Sequence, residues 1–567
     1  MGWIDLLVFV GFIASVIGIG LWKSTSGKKG DIDAQDYFLA GRGLTWWLVG
    51  FSLIAANIST EQFVGMSGKA ADWLGMAIAS YEWMAAVTLV VVAFVFLPKF
   101  LKSGIYTIPE FLEYRYNTFA RTIMAISTLI ILVGVPTASV IYSGAKVICV
   151  FFKGQTLLGL DLSSITVGCW IIGVLAAVYV FAGGLKACAW ADLLQGAALI
   201  IGGGIVAYLA VSALESADPA ALATTARDQS VTAEQLEPQG GVQRFLTLNS
   251  APLPEGKLHM VRPIDDKEIP WSALILGLWI PNFFYWGLNQ YITQRTLGSK
   301  SLAAGQKGVV FAAFLKLLIP FIVVVPGILA YNLYQHEVTN DYDGAFPTLL
   351  RNLLPEGVGL RGFVLAAIFG AVVSSLASML NSAATIFSMD IYNKLRRNAS
   401  QHELVTVGRI CTIVFVLIAL SIAPQLGRDI FGGIFTFIQE FQGFISPGIL
   451  SIFLFGILVS KAPRSVGTIG LILNWLLYPL FKFSPVLFGS ANPYVLEQVA
   501  AWSFLDRMAL CFGIIVAVLT VITVLKPLKS PVELPVNEKM DLTGSPIAKF
   551  FGWVVIVLTG GLYWYFW

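Results

Sequence analysis

Trp46-Trp-Leu-Val-Gly-Phe-Ser-Leu-Ile-Ala-Ala-Asn57-Ile-Ser-Thr-Glu-Gln62-Phe-Val-Gly-Met-Ser-Gly68 is long and apolar enough to cross a bilayer, yet a polar run, Asn57 to Gln62, sits at its middle. A membrane span needs about 20 mostly apolar residues. An ionisable side chain at that depth is costly and normally persists where it lines a pathway or a site. A helix interrupted there offers backbone carbonyls to a cation and side chains to a solute, as secondary transporters do. The stretch therefore predicts a broken helix in a transport protein, in preference to an ordinary span whose polar residues are buried against neighbours.

The rest of the chain agrees. Of its 567 residues 57% are hydrophobic and 12% charged, with mean hydropathy +0.78, which excludes an ordinary soluble globular protein. Runs of span length predict fourteen helices, at 3–22, 45–68, 73–97, 121–150, 162–182, 187–213, 269–289, 308–335, 362–391, 405–423, 432–458, 465–483, 504–525 and 549–566. The first lacks a basic leader and a small-residue cleavage site, so it reads as a retained helix. The expected fold class is an all-α polytopic membrane protein with a single membrane domain over 1–567, in which 3–22 is a peripheral first helix and 465–566 supplies three peripheral helices.

Lys and Arg in short loops orient such a chain. One set of loops carries Lys23, Lys28, Lys29 and Arg42, then Lys99, Lys102, Arg115 and Arg121, then Lys186, then Arg295, Lys300 and Lys307, and continues to Lys394, Arg396, Arg397, Arg409, Lys461, Arg464, Lys526, Lys529, Lys539 and Lys549. The opposite loops offer little beyond Lys69, Lys153, Arg351, Arg361 and Arg428. This bias predicts a multi-pass plasma-membrane protein, in all expectation of a bacterial inner membrane, with both termini extracytoplasmic. Formal net charge is only +3, so no nucleic-acid partner is indicated. Segment 214–268, rich in Ala, Pro, Asp, Glu and Gln, reads as an extracytoplasmic loop or cap without a core of its own.

Several chemistries have no motif here. No Gly-x-x-x-x-Gly-Lys-Ser/Thr run and no His-Glu-x-x-His occurs, so neither an ATP-driven pump nor a zinc protease is indicated, and the chain is not expected to be an enzyme. The three histidines fall outside the expected spans. The five cysteines fall in or beside apolar spans without a Cys-x-x-Cys pair, which suits packing better than metal binding or disulfides.

Other polar residues within spans could face one cavity. Ala79-Ser-Tyr-Glu-Trp83 places Glu82 between Tyr81 and Trp83; carboxylates and amides exchange hydrogen bonds with hydroxyls while an aromatic face covers apolar ring surface. Trp279-Ile-Pro-Asn-Phe-Phe-Tyr-Trp-Gly287 holds Asn282, Tyr285 and Trp286 beside Pro281, which predicts a second broken helix at that proline. Paired breaks in corresponding halves point to inverted repeats with the site at the level of the breaks. Lys316 lies about nine residues into its span, roughly 13 Å deep at 1.5 Å per residue, where snorkelling to the interface is difficult. Gln439 and Glu440 lie inside the eleventh span ahead of Gly443 and Pro447, which would bend it. Ser374 and Ser375, beside Gly370-Ala371, supply hydroxyl oxygens of the kind a hard cation takes, with Asp192 as a nearby negative charge; a serine pair in a membrane helix equally serves helix packing.

These residues resemble the sodium/solute symporters, and within them the bacterial sodium/galactose and animal sodium/glucose cotransporters. The likeness is carried, in order, by Asp36-Tyr-Phe-Leu-Ala-Gly-Arg-Gly-Leu-Thr-Trp-Trp47, Ala56-Asn-Ile-Ser-Thr-Glu-Gln-Phe63, Ala79-Ser-Tyr-Glu-Trp-Met84, Gly104-Ile-Tyr-Thr-Ile-Pro-Glu-Phe111, Tyr285-Trp-Gly-Leu-Asn-Gln-Tyr-Ile-Thr-Gln-Arg295, Phe311-Ala-Ala-Phe-Leu-Lys316 and Ser374-Ser-Leu-Ala-Ser-Met-Leu-Asn-Ser382. It implies a LeuT-type inverted-repeat core of two five-helix repeats, 45–213 and 269–458, with two broken helices. It assigns sugar contacts to Asn57, Gln62, Tyr81, Glu82, Asn282, Lys316 and Gln439, and an inner gate to Tyr285 and Trp286. Sodium, by the same resemblance, lies among the carbonyls of Ala55, Ile58 and Ala371 and the hydroxyls of Ser374 and Ser375, with Asp192 close by. Two departures matter. Ala85 stands where the galactose symporter has serine, which puts the preferred hexose in question, and Ala377 stands where relatives that couple two sodium ions carry a hydroxyl residue, which favours one sodium per sugar.

The expected function is thus sodium-coupled sugar symport by alternating access, with a hexose such as galactose or glucose and sodium as partners. Sialic acid, inositol or proline are the rival solutes of the same class. Glu82, Gln62 and Lys316 suit a polyhydroxyl ligand better than a zwitterion, which would leave them poorly paired. A sodium channel or a non-transporting sugar sensor on the same fold is the rival from another class.

Overall fold

Backbone groups in lipid must be satisfied within their own segment, and apolar runs of this length therefore become helices. In the computed structural model, which describes residues 2–25, 34–157, 159–396, 399–426 and 434–567, the chain is helical apart from turns and one two-residue ladder pairing Thr156–Leu157 with Leu160–Asp161. Lys28, Lys29, Arg397 and Arg428 of the orientation argument, and the start of the eleventh expected span, lie outside the described residues. Among those residues ten helices are long and apolar enough to span, an eleventh candidate is the pair Ile434–Gln442 and Ser446–Leu458 bent by 42°, and three shorter apolar helices, Trp46–Asn57, Ile165–Ala177 and Ala273–Leu288, lie where three further spans were expected. The bend falls at Gly443 to Ile445, as the glycine and Pro447 suggested. The fifth and sixth expected spans, 162–182 and 187–213, are met by Ile165–Ala177 and Leu185–Ser216.

The first broken helix is where the sequence placed it. Trp46–Asn57 stops at Ile58, whose backbone is extended (φ −82°, ψ 104°), and resumes as a wide π-helical turn, Glu61–Met66, followed by Ser67–Ala71. The Ser59 N–H donates to Gln62 Oε1 (2.9 Å), so it does not close a helical bond on the Ala55 carbonyl.

The second break is displaced from its expected position. Pro281 sits inside Trp279–Leu288, directly after a π-helical turn at Ala273–Gly277 in which the Leu278 N–H reaches back to the Ala273 carbonyl (2.8 Å). The wider turn absorbs the proline's missing donor. The interruption comes eight residues on, at Asn289 (φ −83°, ψ 124°), before Gln290–Leu297.

The first broken helix packs on Leu302–Val338, Leu360–Ile386 and Ile165–Ser216. Glycine makes one crossing close: a Cβ on Gly308 would lie 2.6 Å from the Trp46 carbonyl oxygen, and one on Gly50 would lie 2.5 Å from the Phe311 ring.

Contacts sort the connections onto two faces. On one, Asp5 accepts from the N–H groups of Gly357 (2.7 Å) and Gly359 (2.8 Å), which ties the first helix to the connection at 354–359, and Met260 N–H donates to the Phe566 carbonyl (2.8 Å), which ties the C-terminal end to segment 214–268. That segment carries the short helices Pro219–Ala223, Ala233–Leu236 and Gly241–Asn249. It is clamped over the first broken helix: Lys257 donates to the carbonyls of Ala71 and Asp72, and Gly75, at φ +54°, leaves room for the Lys257 carbonyl that a Cβ would meet at 2.2 Å. On the opposite, basic face Arg121 bridges Glu113 (2.5 Å) and Asp390 (2.6 Å), and Asn537 N–H donates to the Lys102 carbonyl (2.7 Å).

Candidate solute and cation site

A cavity lies at the level of the two breaks, and all nine residues expected to contact or gate the solute line it. Asn57 and Gln62 come from the first broken helix, Tyr81 and Glu82 from Ser80–Val91, and Asn282, Tyr285 and Trp286 from the second broken helix. Lys316 comes from Leu302–Val338 and Gln439 from Ile434–Gln442.

Lys316 is the hub. It is fully buried, ion-paired with Glu82 and hydrogen-bonded to Asn57 Oδ1, and its ammonium lies 4.8 Å from the centre of the Trp286 ring. A lysine held this way does not snorkel, so the interface reading fails. Asn57 passes the connection on, because its Nδ2 donates to Tyr285 Oη (2.8 Å), which in turn is hydrogen-bonded to Tyr291. Tyr285 and Trp286 meet edge to face at 5.1 Å and bound one side of the cavity. Tyr81, edge-on to Phe435 at 4.9 Å, bounds another, with its hydroxyl unpartnered. Ala85 is buried one turn beyond Glu82 and does not line the cavity.

The cation residues converge at the first break. Ser375 Oγ donates towards the carbonyls of Ala56 (3.2 Å) and Ala55 (3.4 Å), the latter released by the lost helical bond. Ile58 is buried at the break itself, and Ala371 is buried one turn before Ser375 on Leu360–Ile386. Ser374 Oγ donates to Asp192, which is fully buried. Hard cations without a large charge are held by carbonyl and hydroxyl oxygens, and this donor set, two released carbonyls facing a serine hydroxyl, fits such an ion.

One partner was not anticipated. Arg295, counted in the sequence among the loop cations, is fully buried in Gln290–Leu297; it pairs with Asp192 (3.1 Å) and donates to Ser52 Oγ (2.6 Å) and to Ser378. The Asp192 charge is therefore balanced by a guanidinium and also accepts from Ser52. A guanidinium needs a carboxylate when buried, and the polar helix Gln290-Tyr-Ile-Thr-Gln-Arg295 between apolar segments was the available signal. Glu61 also lines the cavity, although sequence reasoning gave it no role.

Comparison with known proteins places this arrangement. The chain is 38% identical to a sodium/glucose cotransporter of Vibrio parahaemolyticus over 588 aligned positions, covering 100% of this chain and 99% of that one. It is 30% identical to mouse sodium/glucose cotransporter 1 (92% and 77% covered) and 32% identical to bovine sodium/myo-inositol cotransporter 2 (83% and 69%). Among solved structures, a substrate-bound, outward-open sodium-coupled sialic acid symporter superposes with TM-score 0.70 at 20% identity, over 94% of this chain and 99% of that one. Mhp1, a nucleobase-cation-symport-1 transporter, superposes with TM-score 0.51 at 13% identity, over 89% and 97%. These neighbours share the LeuT-type fold. Residues 37–474 match the model of the sodium:solute symporter family, so the chain belongs to that family and sodium is its coupling ion.

Proposed function

We propose that this protein is a sodium-driven sugar symporter that carries a neutral hexose, such as glucose or galactose, into the cell by alternating access. The observation that carries the reading is the Lys316–Glu82–Asn57 cluster in the cavity wall, next to the amides of Gln62, Asn282 and Gln439 and the rings of Tyr285 and Trp286. Paired charges cancel, leaving acceptors, donors and an aromatic face, which suits hydroxyls on an apolar ring better than a charged solute. The identity to sodium/glucose cotransporters over the whole chain supports the same substrate class.

Sodium would be held by Ala55, Ile58 and Ala371 carbonyls with Ser374 and Ser375, Asp192 lying behind them. Ion and sugar then act on one hinge: the ion on the carbonyls just before the break, the sugar on Asn57 and Gln62 on either side of it. An ion that favours the outward form raises sugar affinity only as far as its own affinity differs between the two forms. Residues 45–213 and 269–458 form the two repeats, with 3–22 and 465–566 peripheral and one sodium moved per sugar. The loop bias makes the basic face cytoplasmic and puts both termini, with segment 214–268, outside the plasma membrane. The myo-inositol relative favours a cyclic polyol as the second reading.

Uptake into proteoliposomes tests this. A panel of labelled hexoses, myo-inositol, sialic acid and proline is offered with and without an inward sodium gradient. Sodium-dependent accumulation of a hexose is expected. Accumulation of sialic acid or proline instead, sodium-independent linear flux, or binding without flux would each overturn it.

A further inference from the structure

The cavity holds a carboxyl group that the sugar site above leaves unused. Glu61 is 6% exposed and lines the cavity. The Gln62 side chain hydrogen-bonds it, but Oε2 has no hydrogen-bond partner. Lys316 and Glu82 are the charged groups within its electrostatic reach, and that ammonium is already committed to Glu82 and Asn57. Among the described residues that line it, the cavity thus has two carboxyl groups and one ammonium.

Among the described residues, the cations on the other elements around Glu61 are paired elsewhere. Tyr285 and Tyr291 face Glu61 from the second broken helix, and both are hydrogen-bonded to each other as phenols. Of the further elements packed on Glu61–Met66, Ala138–Phe151 carries Lys146, paired with Asp341 (2.6 Å), and Ile434–Gln442 carries Glu440, held by Arg507 (2.7 Å) and Lys482 (2.8 Å). Ser67–Ala71 carries Lys69, paired with Glu268 (2.5 Å), and Ala345–Leu353 carries Arg351, bound to Glu337. Tyr342 and Asp343 pack on Gly68, beyond the far end of the π-helical turn.

A buried carboxyl group with one oxygen unpartnered, and with the nearby ammonium already paired to another acid, is better accommodated carrying a proton that it can donate. Three of the cavity's donor groups are already engaged. Lys316 is committed, Asn57 Nδ2 serves Tyr285, and Asn282 Nδ2 serves the Leu278 carbonyl (3.0 Å). We propose that Glu61 is a proton-binding site of the sugar cavity: its protonated carboxyl donates to a sugar hydroxyl, and its ionisation weakens sugar binding. This rests on the sugar reading. With Glu61 neutral the cavity carries one carboxylate and one ammonium, and an uncharged ligand meets an uncharged site. Above the acid's titration point, each sugar that binds draws one proton from the medium onto Glu61.

Calorimetry on the full chain in nanodiscs, with D-glucose and D-galactose as probes at saturating sodium, tests this. Binding heats are compared in buffers of different ionisation enthalpy from about pH 6 to about pH 9.5. Proton uptake rising towards one per sugar is expected at the alkaline end, with affinity falling about tenfold per pH unit there. Glu61→Gln, which keeps a donor, should bind sugar with no proton uptake and a flat profile. Sugar binding without proton uptake at any pH in the unaltered protein overturns the proposal and leaves the sugar reading standing. An alkaline fall that persists in Glu61→Gln assigns the proton elsewhere and also overturns it. No binding of either sugar by the unaltered protein removes the sugar reading itself.

Discussion

Replacing Lys316 by Met keeps the length of an apolar stem and deletes the ammonium that lines the cavity. Glu82 and Asn57 Oδ1 lose their donor together, and Trp286 loses the cation over its ring. Removing one partner of a buried pair leaves an uncompensated charge, which destabilises by about 3–5 kcal/mol. Sugar binding should weaken as well. A lost hydrogen bond to a charged group is worth about 1.5–3 kcal/mol, and at 1.4 kcal/mol per factor of ten that is about tenfold or more in affinity.

The two effects separate in a cycle. Lys316→Met with Glu82→Gln removes both charges, so the double variant should regain most of the stability lost by the single one, with a coupling of about 2–3 kcal/mol. Sugar affinity should stay low in both, because neither charged group remains to meet the hydroxyls. Thermal unfolding of purified protein reads the first quantity, and sodium-driven sugar uptake in proteoliposomes the second. Lys316→Met with unchanged uptake would refute the site. A double variant no more stable than Lys316→Met would show that the pair does not carry the cost assigned to it.

Ser375→Ala removes a cation ligand without touching the sugar contacts; uptake against sodium concentration should shift to higher sodium with a similar plateau, whereas a lowered plateau at unshifted sodium would make the serines packing residues. Tyr285→Phe keeps the ring over the cavity and loses the hydrogen bonds to Asn57 and Tyr291, so sugar release measured by exchange should quicken by about two- to tenfold for about 0.5–1.5 kcal/mol; an unchanged rate would exclude a gating role. Lys257, in segment 214–268, is pushed down to about 7 by burial and then by the charge of Arg227. Between about pH 7 and its ordinary value of about 10.5 the undocked lysine binds a proton that the docked one does not, so docking strengthens with rising pH by about 1.4 kcal/mol per unit and gains nothing further below or above that window. Hydrogen-exchange protection factors across 214–268, which correct for the intrinsic pH dependence of exchange, should rise over that range in the unaltered protein and stay flat in Lys257→Met.

What could be read from the residues follows from cost. A polar side chain inside an apolar run is expensive, so Asn57, Gln62, Glu82 and Lys316 stand out in the bare sequence, and the cavity gathers them. What a cost argument cannot supply is the partner. Lys316 and Glu82 are 234 positions apart, and either could have met another group in the bundle. Arg295 was misread for the same reason: a cation near the end of a span counts as a loop charge until its carboxylate, Asp192, is seen 103 positions away. Pro281 marked irregular backbone, but a π-helical turn accommodated it and the break moved to Asn289, where no residue type announced it.

The partners also locate the coupling more narrowly than the sequence could. Asn57 takes the Lys316 hydrogen bond and gives one to Tyr285, so the sugar cluster and the inner gate meet on a single side chain. One residue later the helix stops, and the carbonyls of Ala55 and Ala56 that the stop leaves to Ser375 lie within two residues of that side chain. A cation drawing on those carbonyls fixes the backbone that aims Asn57, and a sugar held by Asn57 fixes the backbone that aims the carbonyls. Each ligand orders what the other needs, so reciprocal coupling follows from one short hinge without a longer pathway. On that account Asn57→Ala should lower sodium affinity as well as sugar affinity, although the asparagine side chain is not itself a proposed cation ligand. Sodium binding measured in the absence of sugar decides it: an unchanged sodium affinity would mean that the two sites communicate through some other part of the bundle.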